Sequence, residues 1–181
     1  MRRPPGGYSL VELLVAMGLL GLLLSATGLL LSGALAAWDW GAGRVEAQQS
    51  VRPALERMAR ELREAGYDPT GAGIEPLLVI EPARVVFQRD LNGNGVVDPT
   101  WERVTYLLRS GETALRRDAG GGAQPIAERV RRLEMTYLGR DGRPVTDPAR
   151  VLSIRIEIEA GRSGSEAVMA TLVTIRNVPV W

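Results

Sequence analysis

From Leu13 to Trp38 the chain carries no charged residue, and this run constrains the fold more than any other feature. At about 1.5 Å of rise per residue, a helix over it is roughly 39 Å long and exceeds a hydrocarbon core of about 30 Å. The run therefore predicts a membrane-spanning helix. Arg2 and Arg3 lie on its short N-terminal side, so positive charge holds that end in the cytoplasm and sends the residues beyond Trp38 across the membrane. A cleaved secretory signal would offer Ala34-Leu35-Ala36 for cutting, but the apolar part of such a signal spans only about 7 to 15 residues. A plain anchor leaves Glu12 unexplained, because a carboxylate in a spanning segment costs about 2.5 to 3.5 kcal/mol at the bilayer centre and less near an end.

The residues around Glu12 form a pattern. A short basic leader ends in Gly6-Gly7, Tyr8 comes next, Glu12 is the fifth residue after Gly7, and the helix beyond is rich in Leu, Ala and Gly. This pattern resembles the N-terminus of type IV pilins and type II secretion pseudopilins. The resemblance implies that a prepilin peptidase cuts after Gly7 on the cytoplasmic face and methylates the new terminus at Tyr8, where Phe is usual. A glycine before the scissile bond suits close approach to a catalytic site, since it tolerates backbone angles that other residues resist. The resemblance also makes Glu12 the assembly residue, paired with the terminal amine of a neighbouring subunit. Such a pair is penalised in an apolar medium far less than either charge alone. The partners implied are the peptidase, other pilin or pseudopilin subunits and the inner membrane.

Composition bounds the rest. With 181 residues and a net charge of +1, the exported part amounts to about one domain, and nothing points to a nucleic-acid surface. All 22 basic residues are arginine, and His and Cys are absent. That removes a histidine base, a thiol nucleophile and the usual zinc ligands, and leaves an exported domain held by packing rather than by disulfides. The expected organisation is a leader at 1–7, the membrane half of a long helix at 8–40, its amphipathic half at 41–66 and an exported β-sheet domain at 67–181.

In the amphipathic half, Val51, Leu55, Met58, Leu62 and Ala65 recur at helical spacing, which marks one buried stripe. Glu56 with Arg60 and Arg57 with Glu61 are four apart and read as pairs on a solvated face. Gly41 and Gly43 suggest a flexible point, Pro53 a kink, and Gly66 a C-cap before the Asp68-Pro69 turn. Beyond it, strand patterns cover 77–80, 84–88, 102–108, 114–117, 132–138, 151–159 and 167–176. In the clearest of them, Leu152, Ile154, Ile156 and Ile158 alternate with charged or polar residues and should face a core. Turns at Asp141-Gly142 and Gly161 to Gly164 argue for antiparallel pairing. The expected fold is α+β: one long helix whose second half lies on a mainly antiparallel sheet, as in the pilin fold. The segment Thr174-Ile175-Arg176-Asn177-Val178 and the 102–108 strand look most like W-type minor pilins and J-type pseudopilins.

Asp90-Leu91-Asn92-Gly93-Asn94-Gly95-Val96-Val97-Asp98 repeats oxygen-bearing side chains at every second position and places glycine sixth, like the start of an EF-hand loop. Asp90, Asn92, Asn94, the Val96 carbonyl and Asp98 are candidate calcium ligands. Trp101 stands where a full EF-hand has its bidentate Glu, and Glu102, next in the chain, is the candidate to supply that ligand. The competing reading is a hairpin loop in which the Asn-Gly pairs supply left-handed residues. Trp38 and Trp40 suit a membrane interface, and Gly120-Gly121-Gly122 reads as a loop. The leading functional expectation is a minor type IV pilin, with no catalytic residues. The alternatives are a J-type pseudopilin at a secretion pseudopilus tip and, remotely, an anchored hydrolase using Asp90 and Asp98 as acid and base.

Overall fold

The computed structural model describes Gly7 and residues 9–177. The chain divides into two compact units, Met1–Ala42 and Gly43–Trp181. Helix α1, Leu10–Arg63, runs through both and comprises 54 residues, with Pro53 inside it. Gly41 and Gly43 do not interrupt it.

In the first unit the leucines have no cover within the chain. Leu10, Leu22, Leu29 and Leu30 are each 70% or more exposed, and the apolar stretch long enough to cross a membrane has none of its length buried among the described residues. A helix that is apolar on every side needs a solvent other than water.

The second unit buries the predicted stripe. Val51, Leu55, Met58, Leu62 and Ala65 are all buried, joined by Ala47, Ala54 and Ala59. Arg60 and Arg63 occupy the last turn, where their charge suits the negative end of the helix dipole. Gly66 then takes φ +74, and a Cβ there would stand 2.6 Å from both the Asn177 carbonyl oxygen and Pro76. Only glycine allows so close an approach at that angle.

Eight strands follow: β1 (Leu77–Glu81), β2 (Arg84–Gln88), β3 (Arg103–Leu108), β4 (Leu115–Asp118), β5 (Gln124–Ala127), β6 (Val130–Leu138), β7 (Ser153–Ala160) and β8 (Ala167–Thr174). They pair antiparallel throughout. The single sheet expected from the sequence is instead two, one ordered β1-β2-β3-β4-β5 and one ordered β6-β7-β8. The chain passes between them at Arg129, a non-glycine residue with φ 58, and no strand pattern signals that break. Strand β5 falls between the strand patterns at 114–117 and 132–138, in a stretch where the sequence predicts no strand. It is short and holds Pro125, which an edge strand tolerates and a central one does not.

The two sheets and the helix stripe share one core, built around Met58, Leu62, Phe87, Tyr106, Ile154, Ile156 and Ile158. The alternation in β7 holds, with Ile154, Ile156 and Ile158 at 0% exposure. Leu152 lies just ahead of the strand.

Candidate functional site

The Asp90 loop joins β2 to β3, and both Gly93 (φ 71) and Gly95 (φ 76) are left-handed, as the Asn-Gly pairs predict. Asp90 is wholly buried. Its Oδ1 accepts the backbone N–H of Gly93 (2.7 Å) and Asn94 (3.2 Å), and its Oδ2 that of Gly95 (2.8 Å). Asn92 Oδ1 accepts from Asn94, and Asn94 Oδ1 from Val96. Glu102, also at 0% exposure, closes the far side. Its Oε1 accepts the N–H groups of Leu91 (2.9 Å) and Asn92 (3.1 Å), and its Oε2 that of Asp98 (2.7 Å). A buried carboxylate is tolerated when its lone pairs meet donors in this way.

Asp98 caps the next turn, accepting from Thr100 N–H and Oγ1. Those bonds, the hydroxyl first, hold its carboxyl below the usual range. The structure thus places Asp90, Asn92, Asn94, Asp98 and Glu102 on one loop, each accepting from backbone N–H groups. Among the described residues no group of three or more His, Cys, Asp or Glu is placed to hold a metal ion. The set is oxygen-rich, and no oxygen of the Asp90 or Glu102 carboxylate lacks a backbone N–H donor. Nor is Asp90, enclosed and fully engaged, presented to a substrate as an acid or base.

At the other end of the chain, Gly7 is exposed, and a Cβ added there would meet nothing within 4 Å. Among the described residues no contact accounts for a glycine. Tyr8, Arg2 and Arg3 lie outside the described residues. Ser9 precedes the first helical residue. Its Oγ accepts the N–H of Val11 at 3.3 Å, while its own N–H is donated to Glu12 Oε2 at 3.0 Å. This reciprocal arrangement is a capping box, and it satisfies donors that a helix start otherwise leaves without partners. Ser9-Leu10-Val11-Glu12 is the S-x-x-E signature of such a box, a signal in the sequence that the expectation of an assembly role for Glu12 overshadows. Glu12 Oε1 has no hydrogen bond among the described residues, so one oxygen caps the helix and the other stays open.

The prokaryotic N-terminal methylation motif matches residues 2–28. That match, confined to the N-terminal segment, supports a type IV pilin or pseudopilin. Comparison with curated proteins gave no match. The motif implies processing by a prepilin peptidase and assembly with other pilin subunits, and here the matched segment contains Gly7, the capping box and the first turns of the apolar helix.

In the second unit a further polar cluster has no counterpart in the sequence patterns. Glu61, expected on a solvated face, is mostly buried: Oε2 accepts from Tyr106 OH and Arg117 Nε, each at 2.9 Å, and Oε1 from Arg57 Nε at 3.0 Å. Burial pushes its carboxyl up, but the bonds from Arg117, Arg57 and Tyr106 outweigh that and hold it below the usual range. Burial and the Glu61 charge together push Tyr106 well above the ordinary phenol. The Arg57–Glu61 pair forms as expected. Glu56 and Arg60 form no ion pair among the described residues. Residue spacing along the helix locates Arg57, but Tyr106 and Arg117 reach Glu61 only through the sheet.

Proposed function

We propose that the chain is a minor type IV pilin: a single-pass protein of the inner membrane, cut after Gly7, methylated at Tyr8, and carried into a pilus or used to start one. The exported domain faces the periplasm before assembly. The observation that carries the reading is the methylation motif over residues 2–28, set on a helix whose leucines are uncovered and whose Glu12 keeps one oxygen open beside the capping bond. That oxygen is available to a neighbour's terminal amine, and pairing with it would offset the cost of a lone charge in lipid.

The capping box makes the charge argument testable apart from helix stability. Glutamine also serves at the third position of a capping box. Glu12→Gln therefore retains the cap and loses the charge, whereas Glu12→Ala loses both. Both variants should be cleaved and inserted, and both should be missing from sheared filaments. If Glu12→Gln assembles like the wild type, the carboxylate is a cap and no more. Mass spectrometry of the mature protein should find a methylated chain beginning at Tyr8; retention of residues 1–7 in a working protein would overturn the reading. A J-type pseudopilin shares the processing and the helix, and the resemblance of the 102–108 strand extends to it. Loss of protein secretion with intact pili in a deletion strain would select that alternative.

A further inference from the structure

The four sheet edges are not equivalent. In the five-stranded sheet, β1 lies between Pro76 and Pro82, and β5 is four residues long with Pro125 inside it. In the three-stranded sheet, β6 is closed from outside: Val130 N–H donates to Thr113, Met135 N–H to Pro82, and Tyr137 C=O accepts from Val145 N–H. Short length, proline and cover are the ordinary means of blunting an edge.

Strand β8 has none of them. Its eight residues, Ala-Val-Met-Ala-Thr-Leu-Val-Thr, include neither charge nor proline. Ser153 faces Thr174, and Ile175 N–H donates to Leu152 C=O at 3.0 Å, which sets the phase of the ladder. Ala167, Met169, Thr171 and Val173 bond to β7; Val168, Ala170, Leu172 and Thr174 turn their N–H and C=O groups outward. None of those outward groups has a partner among the described residues. All four residues are exposed, Val168 and Leu172 at 56%.

Beside this edge lies a cleft of about 370 Å³, lined on the helix side by Arg52, Glu56, Arg60 and Arg63 and on the strand side by Met169 and Thr171. The three arginines enter no ion pair among the described residues. An open ladder next to unpaired cations calls for an extended chain bearing carboxylates.

We propose that β8 receives a strand from a different subunit of the filament, one whose acidic side chains fall on the helix side against Arg52, Arg60 and Arg63; this rests on the reading of the chain as a filament subunit. The backbone groups would supply pairing and the arginines the choice of partner. A second copy of this chain fits less well. It would offer β8 again, a strand whose own eight residues carry no carboxylate for the arginines. Paired antiparallel, the two copies would be related by a two-fold axis normal to the sheet, which points their helices in opposite directions although both must lead into one membrane.

Ala170→Pro tests the edge, since the N–H it deletes points outward and the ladder with β7 is left whole. Full-length Ala170→Pro in detergent should melt with the wild type, and its amount in sheared filaments should fall at least tenfold. Arg60→Glu should lower incorporation in the same direction. Normal incorporation of folded Ala170→Pro would overturn the proposal. Should that variant misfold, hydrogen exchange on the wild type decides. The amides of 168, 170, 172 and 174 should exchange freely in detergent and at least a hundredfold more slowly in filaments; equal exchange would overturn it. Slow exchange already in detergent together with a dimer by sedimentation would also overturn it, in favour of a second copy. If the wild type itself never enters filaments, the reading of the chain as a subunit fails. If the wild type and Ala170→Pro enter alike, only the strand proposal does.

Discussion

The two stretches of α1 hold apolar residues in opposite circumstances. Before Ala42, leucine after leucine is more than half exposed; after Gly43, Val51, Met58 and Leu62 are at 1% or less. Helical propensity does not separate them, because both are helix. What differs is where the partner is encoded. The second stretch has a stripe, and the same chain supplies the strands that cover it. The first is apolar all round, and its cover must come from lipid or from other subunits. The polar groups divide in the same way: Asp90, Glu102 and Glu61 are answered within the second unit, while Glu12 has one oxygen answered and one open.

Truncation in the two stretches should therefore have unequal effects, and this is the largest expected. Leu62→Ala should cost the exported domain about 3 kcal/mol in denaturant unfolding of the full chain in detergent, whereas Leu22→Ala should leave that transition within about 0.5 kcal/mol. Equal losses would erase the distinction. Next, Glu102→Gln replaces an acceptor of N–H groups from Leu91, Asn92 and Asp98 with a group that turns an amide donor toward one side. A loss of about 2 kcal/mol is expected, and no loss would mean that the loop does not need its buried anion.

Acid sharpens the same point. The Asp68 carboxyl goes from its usual 3.8 to about 2. Burial pushes it up, but the N–H groups of Ala72, Ile74 and Gly73 and the Thr70 hydroxyl outweigh that. A group depressed in the folded state contributes stability above its unfolded value, and that contribution is lost as pH falls through the folded one. Unfolding free energy should thus decline between about pH 4 and pH 2, and Asp68→Asn should flatten the decline in that window; an unchanged slope would discard the assignment. The smallest effect concerns calcium. A cation at a hundred times its Kd would add about 2.7 kcal/mol, or about 5 °C or more in a domain of this size. With the buried carboxylates already engaged by backbone donors, excess calcium against chelator should shift the melting temperature by less than about 1 °C. A rise of about 5 °C would show that the second unit also depends on an outside partner.

Much of this is legible in residue order. Leu13 to Trp38 can be measured against a bilayer, the stripe from Val51 to Ala65 against about 3.6 residues per turn, and Ile154, Ile156 and Ile158 against a period of two. The capping box is also legible in Ser9-Leu10-Val11-Glu12, although a residue with one evident role does not advertise a second. Strand β5 is hidden by Pro125, and the division into two sheets by Arg129, whose left-handed turn no neighbouring residue type demands.

Residue order by itself determined the methylation motif, the long apolar helix and most of the strands, because each depends on spacing along the chain or on a short motif. Tertiary structure decided which strands share a sheet, that Glu61 meets Tyr106 and Arg117, that Glu102 supports the Asp90 loop from beneath, and that β8 is left with an open, uncharged edge. Those are meetings between residues far apart in the chain, set by the geometry of packing, and the period of a single segment carries no record of them.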